Sequence, residues 1–164
     1  MFLNKMEIRW SDLDPNQHLA NSAYLNFMSA TRMKHMVTNG VSYADLKKWQ
    51  LGPVVLREEI HYFKEVFPGK PVYVSQEVSG LSHEGTFYEI RHNFYNHKGE
   101  NFARGSMTGT WIDLNTRKIA IPHTEIIEKL MTKDRSADFK ILDPKKIRLV
   151  SVKPENIDLS SFLD

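Results

Sequence analysis

The chain has no cysteine among its 164 residues. Disulfides, cysteine-ligated zinc and thiol nucleophiles are thereby excluded together, and a reducing compartment fits. Long apolar runs are also missing. Nothing approaches the roughly 20 residues that a membrane-spanning helix requires, and Met1 to Lys5 is too short and too polar for a secretory leader. Cytoplasmic placement is the default expectation. The chain lacks a dominant charge sign as well: 22 basic against 20 acidic residues leave +2. The one modest basic concentration, at Lys145, Lys146 and Arg148, indicates neither nucleic acid nor a membrane surface as partner. There is no Gly-rich phosphate loop, and His61, His83, His92, His97 and His123 show no metal-ligand spacing. Neither metal nor cofactor is expected.

What is present is an ordinary globular composition, 41% hydrophobic and 26% charged, in a length suited to one domain with a substantial core. Residues 2–10 read as a strand and residues 22–38 as a helix. Tyr24, Phe27, Met28, Thr31 and Met36 fall on one helical face; Asn21 or Ser22 caps its start and Asn39-Gly40 ends it. Ser42 and Asp45 have capping-box spacing for a short second helix reaching about Trp49. From Pro53 the period drops to two. Turns at residues 67–71, 82–85 and 96–99 then separate four strands, which predicts an antiparallel meander. Gly105 and Gly109, inside the last strand, mark a bulge or a close approach. Residues 122–133 read as a C-terminal helix. Residues 1–133 thus form the expected domain, and residues 134–164 an extension packed on it or on a partner subunit. A long apolar-faced helix followed by antiparallel strands must be covered by them, which gives an α+β arrangement of curved sheet around helix.

The segment from Arg9 to Tyr24 carries the chemistry. Asp12, Asp14, Asn16 and His18 crowd one loop around Pro15, directly ahead of the helix. A carboxylate held there can act beside backbone N–H groups that stabilise a developing oxyanion, a pairing suited to acyl transfer or hydrolysis. The residue-level alternative is that Asp14 simply makes a turn before the helix.

The run Asp12-Leu13-Asp14-Pro15-Asn16-Gln17-His18-Leu19-Ala20-Asn21, with Tyr24 after it, resembles the loop of hotdog-fold thioesterases, in the branch of 4-hydroxybenzoyl-CoA thioesterase and bacterial acyl-CoA thioesterases. It is also similar to the second hotdog half of plant acyl-ACP thioesterases. The resemblance runs through residues 53–62, Pro68-Gly69 and Ala103-Arg104-Gly105, over roughly residues 5–122. It implies a five-stranded antiparallel sheet wrapped around a long central helix. It also implies a homodimer, or a tetramer of such dimers, with sheets joined edge to edge and active sites at the subunit boundary.

The implied activity is hydrolysis of an acyl-CoA to a carboxylic acid and free CoA. Acyl carrier protein is the alternative acyl donor, and a non-catalytic acyl-binding protein the alternative outside enzymes. Asp14 takes the place of the catalytic carboxylate, as base or nucleophile, and Asn21 supplies the helix-leading backbone amide. His18 holds Asp14, orients water or protonates the leaving thiolate, while Asn16 bonds the carboxylate or the substrate. Tyr24, Phe27, Met28 and Thr31 are candidates for the acyl tunnel and Arg104 for a phosphate contact. Glu65 stands where the plant enzymes carry a proposed catalytic Glu but reads better as a surface acid, and Glu58 and Glu59 as solvated strand residues. Gln17 replaces a Gly common in the family, and Ala20-Asn21 an Asn pair.

Overall fold

Apolar residues spaced by three and four turn Asn21–Thr38 into one helix, α1, which buries Ala23, Tyr24, Phe27, Met28, Thr31, His35 and Met36 along one side. The computed structural model describes residues 1–148 and 154–158 of the chain. Strand β1 (Phe2–Met6) is shorter than expected, because residues 7–9 leave the sheet and Trp10–Asp12 form a single 3-10 turn. The helix cap also differs from expectation. Ala20, in extended conformation, precedes the helix without any side-chain cap, and Asn21 is its first residue. At the other end Asn39 closes the last turn, and Gly40 takes the left-handed conformation (φ +74°) that favours glycine. Helix α2 (Tyr43–Lys48) opens on the expected capping box, the Asp45 N–H donating to Ser42 Oγ and the Ser42 N–H to Asp45 Oδ2.

Strands β2 (Leu51–Tyr62), β3 (Val72–Ser82), β4 (Phe87–Tyr95) and β5 (Asn101–Asp113) follow. Only β3, β4 and β5 form the expected meander. Their order in the sheet is β1-β3-β4-β5-β2, so β2 pairs with β5 at the far edge and never touches β3 as a ladder neighbour. The connection through residues 63–71 is therefore a crossover. Pro53 fits this edge position, since proline has no N–H and would leave a ladder bond unmade in a central strand.

The expected C-terminal helix is present but shorter, α3 (Thr124–Ile126) passing without a gap into one π-helical turn, Ile127–Met131. The extension then returns to the sheet. Residues Arg135–Leu142 form β6, parallel to β3 along the half of its edge that β1 leaves free, making the sheet six-stranded rather than five-stranded. Arg91 clamps Asp138 through two bonds of 2.9 and 2.7 Å, and Lys140 reaches Glu89 at 2.8 Å. A short α4 (Pro144–Arg148) follows. Residues 149–153 and 159–164 of the extension lie outside the described residues.

One hydrophobic core joins α1 to the inner face of this sheet, through Tyr24, Phe27, Met28 and Met36 on one side and Val74, Val78, Ile90, Phe94, Met107 and Trp111 on the other. Gly105 and Gly109 are close-approach positions. A Cβ on Gly105 would stand 2.6 Å from Met28 Sδ, and one on Gly109 would stand 2.6 Å from Tyr88 Cζ.

Candidate active site

Asp14 shapes its own loop. Its Oδ1 accepts the N–H groups of Asn16 (2.9 Å) and His18 (3.0 Å), an Asx-type turn that ties the loop shut. The Asp14 N–H donates to the His18 carbonyl, and Leu13 bridges Leu19, so the loop is a miniature hairpin with Gln17 at its left-handed position (φ +64°). Gln17 is thus the point at which glycine would relieve backbone strain. With Oδ1 occupied, Oδ2 makes no hydrogen bond among the described residues and is the oxygen left for chemistry.

The start of α1 lies beside this carboxylate. The Ser22 N–H is taken by Asn21 Oδ1 and the Ala23 N–H by the Ala20 carbonyl. The Asn21 N–H, by contrast, precedes the first intrahelical bond and makes no hydrogen bond among the described residues. Asp14, His18, Leu19, Asn21 and Tyr24 line one cleft together with Tyr62, Phe63, Lys64 and Glu65. The last four come from the end of β2 and the chain beyond it. This wall is fixed by the Leu19 N–H donating to the Val66 carbonyl (2.8 Å) and by the Phe67 ring against the edge of His18. His18 Nε2 stands 3.3 Å from Glu65 Oε2, so Glu65 is exposed yet belongs to the cleft.

Tyr24 closes the floor, ring edge against Tyr62. Burial, with the neighbouring Tyr62, pushes its hydroxyl up to about 12, so it remains a neutral donor at working pH. Other expected site residues lie elsewhere. Asn16 contributes its backbone N–H to Asp14, and its exposed side chain is not part of the cleft. Phe27 and Met28 are packed into the core, and neither lines the cleft. Arg104 lies on the outer face of the sheet, donating to Asn93 Oδ1 at 2.8 Å. The cation on the cleft wall is Lys64 instead. Among the described residues no group of three or more potential ligands is placed to hold a metal ion.

A second space, of about 220 Å³, lies between the C-terminal half of α1 and the sheet. Ser29, Pro53 and Val55 line it and are exposed; Met36, Ile90, Met107, Trp111, Leu130 and Met131 line it and are buried. Arg32, also on this wall, forms an ion pair with Glu58 of β2 at 3.0 Å, so Glu58 is a partly buried partner of the helix and not a solvated strand residue. Two lining residues each hold a buried polar atom without a partner among the described residues, Gln76 Oε1 and Trp111 Nε1. None of these lining residues was legible as such from the sequence. Their helical and alternating spacings announce burial, and a cavity wall has the same periodicity as a filled core.

A family model described as the thioesterase-like superfamily matches residues 8–139. No curated protein sequence matches the chain. Among solved structures, DHNA-CoA thioesterase from Staphylococcus aureus is 22% identical, over 79% of this chain and 83% of that one, with a TM-score of 0.67. A 1,4-dihydroxy-2-naphthoyl-CoA thioesterase from Synechocystis is 12% identical over 82% and 98%, with a TM-score of 0.72. The protein SAV2348 from Staphylococcus aureus, solved in complex with CoA, is 14% identical over 93% and 95%, at 0.75. At these identities the likeness is one of fold, and the family assignment rests on the sequence model. No described helix is long and apolar enough to cross a membrane.

Proposed function

Because this chain belongs to the thioesterase-like superfamily, we propose that it hydrolyses acyl-CoA thioesters to a carboxylic acid and free CoA, with Asp14 as the acting carboxylate. The observation that carries this reading is the asymmetry of Asp14: one oxygen is locked by two backbone N–H groups while the other is free in a cleft beside the unclaimed Asn21 N–H. As a base, Oδ2 takes a proton from water as the water oxygen attacks the thioester carbonyl. The Asn21 N–H then donates to the resulting oxyanion, aided by the helix dipole. Collapse breaks the C–S bond, and the proton passes from Asp14 to the leaving thiolate, directly or through His18. Direct attack by Oδ2, giving a mixed anhydride that water later cleaves, uses the same groups.

The cleft rim favours CoA over acyl carrier protein. Its wall offers one cation, Lys64, beside one acid, Glu65, a poor platform for an acidic protein domain. The free Oδ2 speaks for an enzyme over a passive acyl-binding protein.

The 18-residue α1 against the inner face of the sheet is read as a hotdog core, and its complete site as dimeric. The outer edge of β2 has no partner strand among the described residues, and Val55, Leu56, Tyr62 and Phe63 are exposed at or next to it. Within one chain, Asn21 and Arg32 are about 16 Å apart along α1, and Val55 and Tyr62 about 23 Å apart along β2. The Asp14 cleft and the 220 Å³ cavity of one protomer are therefore separate. Antiparallel pairing of β2 with a second copy brings the cleft of each chain to the cavity of the other.

Thiol release from acyl-CoA is the test. Asp14→Asn and Asp14→Ala should lower kcat by about 10²–10⁴-fold, the ordinary worth of a positioned base, with circular dichroism unchanged. Equal rates for all three proteins would remove Asp14 from the chemistry.

A further inference from the structure

We infer that the π-helical turn Ile127–Met131 limits the acyl group of this enzyme: the cavity beneath α1 accepts apolar acyl chains of up to about nine carbons, tolerant of shape but not of length. The inference rests on the hydrolase reading above and assigns that site its substrate class.

The cavity has a mouth and an inner wall. Ser29, Pro53 and Val55, exposed on α1 and the edge strand, mark the mouth; Trp111, Leu130 and Met131, all buried, belong to the inner wall. Leu130 and Met131 belong to the π turn, a rare geometry that recurs at functional sites and here carries two consecutive side chains onto one wall. The segment is pinned from outside. Lys129 Nζ donates to the Gly40 carbonyl at the end of α1 (3.1 Å) and pairs with Glu125, and the chain then runs directly into β6. These contacts hold the backbone of the turn against the end of α1 while its side chains face the cavity.

Size sets the limit. An apolar cavity of about 150 Å³ accommodates benzene, so 220 Å³ accommodates about nine carbon atoms. The lining sets the tolerance. Four of the seven methionines in the chain, Met33, Met36, Met107 and Met131, face this one space. Unbranched thioether side chains repack around ligands of different outline, so straight, branched and single-ring acyl groups of equal length fit alike.

Rates of thiol release from saturated acyl-CoAs of 4 to 16 carbons test this on the full-length protein. We expect kcat/KM to rise about fourfold for each added CH₂, to peak at eight to ten carbons, and to fall at least tenfold by sixteen. Leu130→Ala and Met131→Ala should move the peak to longer chains by two or three carbons, and Leu130→Phe to shorter ones. Met131→Leu, which conserves volume, should leave it in place. A flat profile, or a peak unmoved in all of the first three variants, overturns the inference. Calorimetric binding of the free C6–C14 carboxylates reads the same limit without turnover. If no ester releases thiol yet the acids show a cut-off near nine carbons, hydrolysis falls and the pocket stands. If the acids show no cut-off, the pocket falls.

Discussion

His92 lies wholly inside the core, its Nδ1 2.8 Å from the Ser75 carbonyl oxygen and its Nε2 toward the Arg32 guanidinium at 3.5 Å. Burial, reinforced by the Arg32 charge, lowers it from 6.5 to about 3. Below pH 6.5 the unfolded chain takes up a proton that the folded chain refuses, so this residue's share of stability is intact above pH 6.5 and is lost as pH falls toward 3. His35, also lowered chiefly by burial and only partly restored by Asp134, acts in the same direction. One pH unit below the unfolded value, His92 alone costs about 1.4 kcal/mol. Urea denaturation at pH 7.5 and 5.5 should show a loss of stability that shrinks by about that amount in His92→Gln, whose amide can still donate to the Ser75 carbonyl. Identical pH dependence in the two proteins would mean that His92 is not held neutral.

At the scale of elements, β5 shows how two glycines admit their neighbours. Gly105 makes room for Met28 of α1, whose thioether can swing aside; Gly109 faces the ring of Tyr88, which cannot. Gly109→Ala should therefore cost about 1–3 kcal/mol, and Gly105→Ala clearly less, as read from thermal or chemical unfolding. The reverse order would contradict the packing described. The same strand also measures how far sequence alone reaches. Gly105 and Gly109 were legible as close-approach points, as was the identity of α1, because backbone freedom and helical spacing are local properties. The placement of β2 was not. Its alternation is the same whether it pairs with β3 or β5, since period two fixes which face is buried and says nothing of which strand lies alongside. β6 escaped for a related reason: a parallel strand on the free half of β3 is secured by distant partners such as Arg91 and Glu89, not by a turn next to it in the chain. In the candidate site, the Asp14 loop was readable because one short segment builds it. The Tyr62–Glu65 wall and the cavity were not, because they exist only where β2, α1 and the π turn converge.

For the whole molecule, the proposed dimer has a register that charge can decide. On β2, Arg57 and Glu59 project to the outer face, opposite Thr108 and Ser106 of β5, with Glu58 between them turned inward to Arg32. Antiparallel pairing of two β2 edges about an axis at Glu58 sets each Arg57 against the other copy's Glu59, twice over. It ends the shared ladder next to Pro53, which has no N–H to give. It also carries each copy's Tyr62, and with it the Asp14 cleft, to residues 53–55 of the other, beside the cavity lined by Pro53 and Val55. A shift of two residues places like charges opposite one another, Arg57 on Arg57 or Glu59 on Glu59. Arg57→Glu should therefore weaken association about tenfold or more, Glu59→Arg likewise, and the double variant should recover most of the loss by restoring opposite pairs. Sedimentation equilibrium gives the dissociation constants, and thiol release at matched concentrations should follow them, because an isolated protomer keeps its acid apart from its pocket. If both single variants associate as the wild type does, or the double variant is no better than either, β2 is not paired in this register.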